Sequence, residues 1–534
     1  MRTALVFPPN ASPTYVPLGI ASLVAYVRQM VPAASIEALD LNLATWHDVA
    51  RATPGAGALV DFVQGRQGNF YDAEQTLGYR GLWSALRARM RALAADARHY
   101  LATGEASPDF AALLAAHTAR VLATDPEWVG ISVMFLEQVP FATALAVALK
   151  RSGGASAPDV VLGGAAMSAL HVEDLLAACP SVDGVVCGEG EAAVAALCSG
   201  APREQVPGLV FRSAAGLVRN SLPPTLSLKL LPAPDFSVLP LPDYFSPAPV
   251  LPVLFSRGCA WRKCRFCTHN SSFGGHRKRP VADFVAEVEN LYARFGVRHI
   301  YSADEYIPAA DLDVITDAFR VHGLDLAFHV LARPTEECTP ERLAAWSAAG
   351  CRWIGWGVES GSQRLLDLIN KGTNAATVER VIRASAEAGI SNLAMMIFGL
   401  PTSTDADLHE TFRFLDRIYD AVDALGVSSY VLSEGTHFAR NAAKYGLAIS
   451  GVQNVLQANG TAVRTRRLDF RELAADGSLR PPRGPLEVAA WEARRPWLGP
   501  LTLFEQIPCE HYLLHLAPAH ADVPRPGRPR PKAA

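Results

Sequence analysis

Cys259-Ala-Trp-Arg-Lys-Cys264-Arg-Phe-Cys267 follows the apolar run Val250-Leu-Pro-Val-Leu-Phe255 and the turn Ser256-Arg257-Gly258. Three cysteines within nine residues of one loop can hold three irons of a [4Fe–4S] cluster and leave the fourth iron open. The alternative is zinc, which asks for four ligands, often as two Cys-x-x-Cys pairs. His269 is a conceivable fourth ligand, although a His two residues after the last Cys is not a standard finger spacing. The loop follows a strand and precedes a helix in a run of alternating units, and this context favours the cluster.

C-terminal to the loop the alternation is regular. Strands are expected at 250–256, 297–303, 325–332, 352–359, 391–398 and 425–432, with amphipathic helices between them, for example 281–295, 340–349 and 374–388. Six βα units predict a partial (β/α)6 TIM-type barrel over 250–434, with its chemistry at the C-terminal ends of the strands. The cysteine loop, Asp304, Glu305, Arg333, Glu359 and Ser360 all fall at those ends. An open iron can chelate the amino and carboxylate groups of S-adenosylmethionine. Asp304 and Glu305 are then candidates to accept from its ammonium, and Arg333 to pair with its carboxylate. Glu359 and Ser360 are candidates for the ribose hydroxyls, and Phe266 for packing on adenine.

N-terminal to the loop, residues 1–205 also alternate strand and helix, which predicts an α/β doubly wound parallel sheet. A ligand of such a sheet lies at the carboxyl ends of its strands. Those ends carry Pro8-Pro9, Ser132, Gly163-Gly164 and Gly188-Glu189-Gly190-Glu191. Residues 44–124 interrupt the rhythm and read as a helical insertion. A small hairpin turning at Ala214–Gly216 and a proline-rich linker fill 206–249, where the domain boundary is placed.

Beyond the barrel, 435–518 reads as a small α-rich segment that caps the site or meets the substrate. Its Trp491, Trp497, Phe504, His511 and Tyr512 are expected to pack a core. Cys509 and Tyr512 are its candidates for a catalytic proton or hydrogen donor. The tail 519–534 is expected to be disordered, and Arg277-Lys278-Arg279 to be a solvated face.

Composition narrows the function classes. The formal charge of −3 over 534 residues gives no electrostatic case for nucleic acid. No apolar run is long enough to span a membrane, and the N-terminus reads as a strand rather than a signal peptide. Nine cysteines in such a chain are not a disulfide framework. A reduced cytoplasm is the compartment expected.

Residues 250–433 resemble the radical S-adenosylmethionine enzymes. The matching stretches are Ser256-Arg-Gly-Cys259 with Cys264-Arg-Phe-Cys267, Tyr301-Ser-Ala-Asp-Glu305, Leu331-Ala-Arg-Pro334, Gly357-Val-Glu-Ser-Gly-Ser-Gln363, Lys371-Gly372 and Phe398-Gly-Leu-Pro401. Pro17-Leu18-Gly19, Leu162-Gly163-Gly164 and Gly188-Glu-Gly-Glu191 look like the cobalamin-binding domain fused to the largest subclass of that family.

The resemblance implies a [4Fe–4S] cluster on Cys259, Cys264 and Cys267, S-adenosylmethionine, and cobalamin near Pro17, Leu18, Ser132, Gly163, Gly164, Gly188 and Glu189. It implies a C-methyltransferase acting on an unactivated carbon of a natural product or peptide, reduced by an electron donor such as flavodoxin or ferredoxin. A cyclisation or rearrangement with the same cofactors stays open. So does a corrinoid-binding sensor or carrier whose cluster is structural. Two departures stand out. The first cysteine spacing is four residues where three is usual. The stretch Pro8–Gly19 has no histidine where an Asp-x-His-x-x-Gly ligand motif would fall, so an open or water-occupied lower cobalt face is expected.

Overall fold

The structure, a computed structural model, describes residues 1–222, 225–269, 274–474, 476–482, 484, 488 and 508–516. It divides into two compact units. The first comprises Met1–Gly68, Tyr79–Pro247 and Val452–Arg466; the second comprises Asn69–Gly78, Ala248–Gly451 and the chain from Arg467.

In the first unit, β1 (Arg2–Phe7), α1 (Leu18–Met30) and β2 (Ser35–Asp40) open the chain. Five helices follow: α2 (Leu41–Arg51), α3 (Ala56–Val63), α4 (Ala73–Gly78), α5 (Arg80–Thr103) and α6 (Pro108–Leu122). The alternation resumes with β3 (Trp128–Ser132), α7 (Val139–Gly153), β4 (Asp159–Gly163), α8 (Val172–Ala178), β5 (Gly184–Val186) and α9 (Glu191–Cys198). β6 (Leu209–Ser213) and β7 (Gly216–Arg219) complete a sheet ordered β2-β1-β3-β4-β5-β6-β7.

β2 to β5 pair in parallel. Their order is the 2-1-3-4-5 doubly wound pattern, whose switch point lies between β1 and β3. The hairpin turning at 214–216 is β6–β7. It extends this sheet antiparallel, with Gly184 opposite Phe211, because Leu209, Val210 and Phe211 form an apolar run that is 1–2% exposed. The expected insertion is helical, but it divides: Asn69–Gly78, with α4, groups with the second unit. There the Phe70 ring stacks on His515 at 4.8 Å and meets His511 edge-on at 4.9 Å.

The second unit contains six parallel strands: β8 (Val250–Val253), β11 (His299–Ser302), β12 (Ala327–Ala332), β13 (Cys351–Glu359), β14 (Ser391–Phe398) and β15 (Ala424–Ser429). The short β9 (Ser256–Arg257) and β10 (Arg277–Lys278) lie between the first two. Each strand of the six neighbours its predecessor in the chain, and β8 and β15 form the edges. Between them run α10 (Val281–Phe295), α11 (Ala309–Val321), α12 (Pro340–Ala348), α13 (Gln363–Leu368), α14 (Ala375–Glu387) and α15 (Asp405–Ile418). Short side chains fix where three of these helices start. Thr339 accepts from the Arg342 amide, Asn374 from Thr377, and Thr404 forms a capping box with Asp407. The interior includes Trp346, Trp353, Trp356, Phe319 and Phe414, each under 2% exposed.

The segment 435–518 is mostly β among the described residues, contrary to the α-rich expectation. After β16 (Leu432–Ser433) and the short α16 (His437–Arg440) come β17 (Leu447–Ala458), β18 (Thr461–Leu473) and β19 (Leu479–Arg480). Asn459 and Gly460 turn the hairpin with φ of 47° and 74°, the left-handed pair that a two-residue type I′ turn requires. One more helix, α17 (Cys509–His515), is described. Among the described residues no helix is long and apolar enough to cross a membrane.

Candidate active site

The cysteine loop is a closed excursion. β9 and β10 pair antiparallel at its base, Arg257 opposite Arg277 and Ser256 opposite Lys278. Gly258 opens it at φ +78°, where a Cβ would lie 2.5 Å from the Gly275 carbonyl oxygen, so only glycine fits. The far side is laced to the turn after α13. The Arg265 amide donates to the Ile369 carbonyl at 2.9 Å, its guanidinium to Leu368 at 2.7 Å, and Asn370 Nδ2 to the Lys263 carbonyl at 3.2 Å.

Trp261 lies within the longer first spacing and anchors it. Its Nε1 donates to the Asn370 carbonyl at 3.0 Å, and a Cβ on Gly372 would sit 2.2 Å from its ring. The Arg333 guanidinium covers the ring at 4.0 Å and Lys263 Nζ stands 4.6 Å from it. The longer spacing thus carries an indole docked on the 370–372 turn. Arg262, next to it, takes the left-handed conformation at φ 49°.

All three loop cysteines are free thiols, Cys264 buried and Cys259 and Cys267 half-buried. Burial pushes the Cys267 thiol up to about 12; it also raises Cys264, against the pull of Lys371. Ligation must then displace protons, so metal binding and loop order are coupled. His269 does not turn to the thiols: its Nδ1 lies 2.9 Å from Glu305 Oε1. Among the described residues no three His, Cys, Asp or Glu side chains converge on a single-ion position.

At the strand ends the expected S-adenosylmethionine contacts separate into open and committed groups. Asp304 is committed. It is 1% exposed and accepts four hydrogen bonds, from the Phe255 and Ser256 amides and the Ser256 and Ser302 hydroxyls. A carboxylate so filled has no lone pair left for an ammonium; it fixes the entry to the cysteine loop instead. Arg333 is committed as well, donating to the Lys371 and Gly372 carbonyls while stacked on Trp261. Ser360 is 2% exposed, and its hydroxyl is shared with Thr411 at 3.1 Å and the Ser362 amide at 3.1 Å. These three hold the wall rather than present a ligand.

Glu305 and Glu359 each pair through one carboxylate oxygen, Glu305 with His269 and Glu359 with Lys371. Glu305 is half-buried. Glu359 ends β13 at φ 66°, where a register shift between Gly357 and Glu359 re-aims it. Its Oε1 is 2.5 Å from Lys371 Nζ, both side chains nearly buried. Gly357 makes room for the pair, since a Cβ there would lie 2.6 Å from Lys371 Nζ. Phe266 is half-buried beside Cys267.

Cys509 and Tyr512 do not reach these strand ends. The Tyr512 hydroxyl is 2.6 Å from Ser391 Oγ, and its ring meets Trp353 at 5.3 Å. Ser391 is the first residue of β14, about 20 Å along the strand from Phe398 at the rim. α17 thus closes the foot of the sheet, where Tyr512 packs a core as its aromatic neighbours were expected to do. Cys509 opens that helix, its thiol pushed up to about 12 by burial. Trp491, Trp497, Phe504 and the tail 519–534 lie outside the described residues. Arg279 also departs from expectation. It is not solvated but 8% exposed, ion-paired with buried Glu287 at 2.5 Å.

The sequence reading missed a layer across the sheet. His329 stacks on Tyr301 at 4.2 Å and against Trp353 at 4.3 Å. It is 1% exposed, neither ring nitrogen has a hydrogen-bond partner among the described residues, and burial pushes its pKa down to about 3. Lone residues such as His329 carry no signal in spacing.

In the first unit, the strand ends around the switch point come together. A Cβ on Gly19 would lie 3.7 Å from Ser132 Oγ, which places the start of α1, after Pro17 and Leu18, beside the end of β3. Gly164, at φ +97°, lets its loop cross β3: a Cβ there would lie 2.4 Å from the Val133 oxygen. Gly188 and Glu189 follow β5, with Gly188 exposed. Gln138, fully buried, ties these ends together. Its Oε1 accepts from the Met134 and Phe135 amides at 2.8 and 3.0 Å, and its Nε2 donates to the Pro8 carbonyl at 2.6 Å. Met134 and Phe135 are left 42% and 37% exposed. The result is an apolar surface at the switch point, with the Met134 and Phe135 amides and the Pro8 carbonyl satisfied.

A cysteine loop after the first strand of six sequential parallel βα units, preceded by a 2-1-3-4-5 sheet, defines the class: an α/β partial-barrel fold with an appended Rossmann-like unit. Residues 253–415 match the radical SAM superfamily and form a domain of that superfamily, whose cofactors are a [4Fe–4S] cluster and S-adenosylmethionine. The chain is 28% identical over 270 residues to the uncharacterized methyltransferase PH0819 of Pyrococcus horikoshii, covering 48% of this chain and 58% of that protein. It is 29% identical over 268 residues to the anaerobic magnesium-protoporphyrin IX monomethyl ester cyclase of Cereibacter sphaeroides, covering 47% and 44%. The chain therefore spans about half the length of these curated relatives.

Among solved structures, the cobalamin-dependent S-adenosylmethionine radical enzyme OxsB, with aqua-cobalamin and S-adenosylmethionine bound, aligns at TM-score 0.62 and 18% identity, over 87% of this chain and 64% of that one. The radical S-adenosylmethionine methyltransferase TsrM from Kitasatospora setae, with cobalamin and [4Fe–4S] cluster bound, aligns at 0.57 and 18%, over 86% and 82%. At these identities the likeness is one of fold, and that fold is shared with cobalamin-dependent radical SAM enzymes.

Proposed function

We propose that this protein is a cobalamin-dependent radical S-adenosylmethionine C-methyltransferase acting on an unactivated carbon of a small natural product or peptide. The observation that carries this is the pairing, in one chain, of the three-cysteine loop at a barrel rim with an open apolar surface at a 2-1-3-4-5 switch point. When bound, the cluster supplies the electron for reductive cleavage of S-adenosylmethionine, and cobalamin supplies the methyl carrier.

Cys259, Cys264 and Cys267 would hold the cluster. Glu305 accepts from the methionine ammonium in place of Asp304, and Glu359, oriented by Lys371, accepts from ribose hydroxyls. Phe266 covers adenine. Pro17, Leu18, Ser132, Gly163, Gly164, Gly188 and Glu189 border the corrin site, whose largely apolar ring fits the surface offered by Met134 and Phe135. The carboxylates orient their ligand and the aromatic side chains exclude water.

The likeness to the monomethyl ester cyclase favours a second reading, a non-methylating cyclisation or rearrangement with the same cofactors. Anaerobic reconstitution followed by product analysis separates the two. S-adenosylhomocysteine with a methylated product supports methyl transfer. 5′-Deoxyadenosine with a product of unchanged carbon count sinks it.

A further inference from the structure

A cavity of about 340 Å³ opens on one side of the cysteine loop. Arg262, Lys263 and Arg265 of the loop line it together with Arg440 and His437 of α16. No aspartate or glutamate contributes to its described lining. The whole chain carries a formal charge of −3, so four permanent cations around one small cavity do not reflect a generally basic surface. Cys264 and Cys267 form part of the same wall.

Two of the cations have partners within the protein. Arg265 is fixed by the carbonyls of Leu368 and Ile369, and Lys263 stands over the Trp261 ring. Arg440 and Arg262 are exposed.

We propose that this basic cavity is the docking point for a small acidic one-electron carrier protein that reduces the cluster. This rests on the radical S-adenosylmethionine reading given above. Each cleavage consumes one electron, which the chain cannot itself supply. The reduced carrier loses one electron and the cluster gains it; no atom is exchanged. A cavity of this size admits a few side chains of a partner protein, not its folded body. It therefore acts as a socket for an acidic protrusion, and its charge steers the encounter. Because two of the cluster's cysteines form its wall, a carrier seated there touches the residues that hold the electron's destination.

The test uses the reconstituted full-length holoenzyme and a purified bacterial flavodoxin. Binding is measured directly at low and high salt, beside two assays of 5′-deoxyadenosine formation, one driven by reduced flavodoxin and one by dithionite. Binding weakens by roughly tenfold or more between 50 and 300 mM salt. Arg440→Glu weakens flavodoxin binding by a similar factor and slows only the flavodoxin-driven assay, whereas Arg440→Lys restores both. Arg262→Glu gives an independent second variant on the loop.

Unchanged flavodoxin binding in both reversals overturns the proposal. So does loss of dithionite-driven cleavage in Arg440→Glu, because the cation would then serve the reaction itself. Binding of inorganic pyrophosphate that Arg440→Glu abolishes, with flavodoxin binding unchanged, reassigns the cavity to a small anion. Failure of the wild type to cleave S-adenosylmethionine with dithionite is a different result: it sinks the underlying functional reading.

Discussion

Trp261 and Gly372 meet at the point where the cysteine loop departs from the usual spacing, and the departure has a steric account. Gly372 combines φ +72° with an indole where its Cβ would be. Gly372→Ala is therefore expected to unseat Trp261 and lower iron content per chain after reconstitution severalfold, while far-UV circular dichroism stays unchanged. Trp261→Phe keeps an aromatic ring but loses the bond to Asn370, worth about 1 kcal/mol, and the indole atoms that meet Gly372, so its iron content should fall less than that of Gly372→Ala.

Asp40 offers a titration at the same scale. Burial raises its pKa to about 6, against bonds from the Leu43 amide and the Tyr244 hydroxyl that pull it down. A carboxyl raised in the folded state stabilises fully below its unfolded pKa, and that contribution is lost as pH rises through the folded value. Asn caps a helix as well as Asp does. The stability of wild type relative to Asp40→Asn, measured by urea denaturation, should therefore fall by on the order of 2–3 kcal/mol from pH 4 to pH 6.5 and then level off. A flat difference would mean that Asp40 is ionised throughout.

At the scale of elements, parallel strands such as β4 were legible because they are apolar runs between glycine or proline signals, and β2 because it alternates. The fifth expected barrel strand, 391–398, coincides with β14. The β17–β18 ribbon was less visible, although its signal was present: Asn459-Gly460 between stretches of alternating polarity such as Thr461-Ala-Val-Arg-Thr465. Arginines at 464, 466, 467 and 471 lower the mean hydropathy and mask the period of two. Gly460→Ala, forced to φ 74°, should cost about 1 kcal/mol, read as a lower midpoint in thermal or urea unfolding. Roles within the rim were legible only as residue types. Asp304 and Arg333 pack on the cysteine loop and its entry, and Ser360 pairs with Thr411 and Ser362. Their hydrogen bonds to neighbouring backbone and hydroxyls, which commit them to the wall, depend on tertiary distances that no spacing encodes.

At the scale of the molecule, the chain builds two units, each with a candidate ligand surface at the carboxyl ends of parallel strands. The cysteines lie in one unit and the apolar switch-point surface in the other, so the two cofactors should be separable by mutation. Cys264→Ala should lose the cluster, seen as loss of iron and of broad absorbance near 400 nm, and keep cobalamin at wild-type stoichiometry. The most direct measurement is S-adenosylmethionine cleavage by the dithionite-reduced protein, reconstituted anaerobically with iron, sulfide and cobalamin, in wild type and in this variant. The account predicts 5′-deoxyadenosine from wild type and none from Cys264→Ala with cobalamin still bound. Cleavage retained in Cys264→Ala, or absent from a wild type with a full cluster, would contradict it.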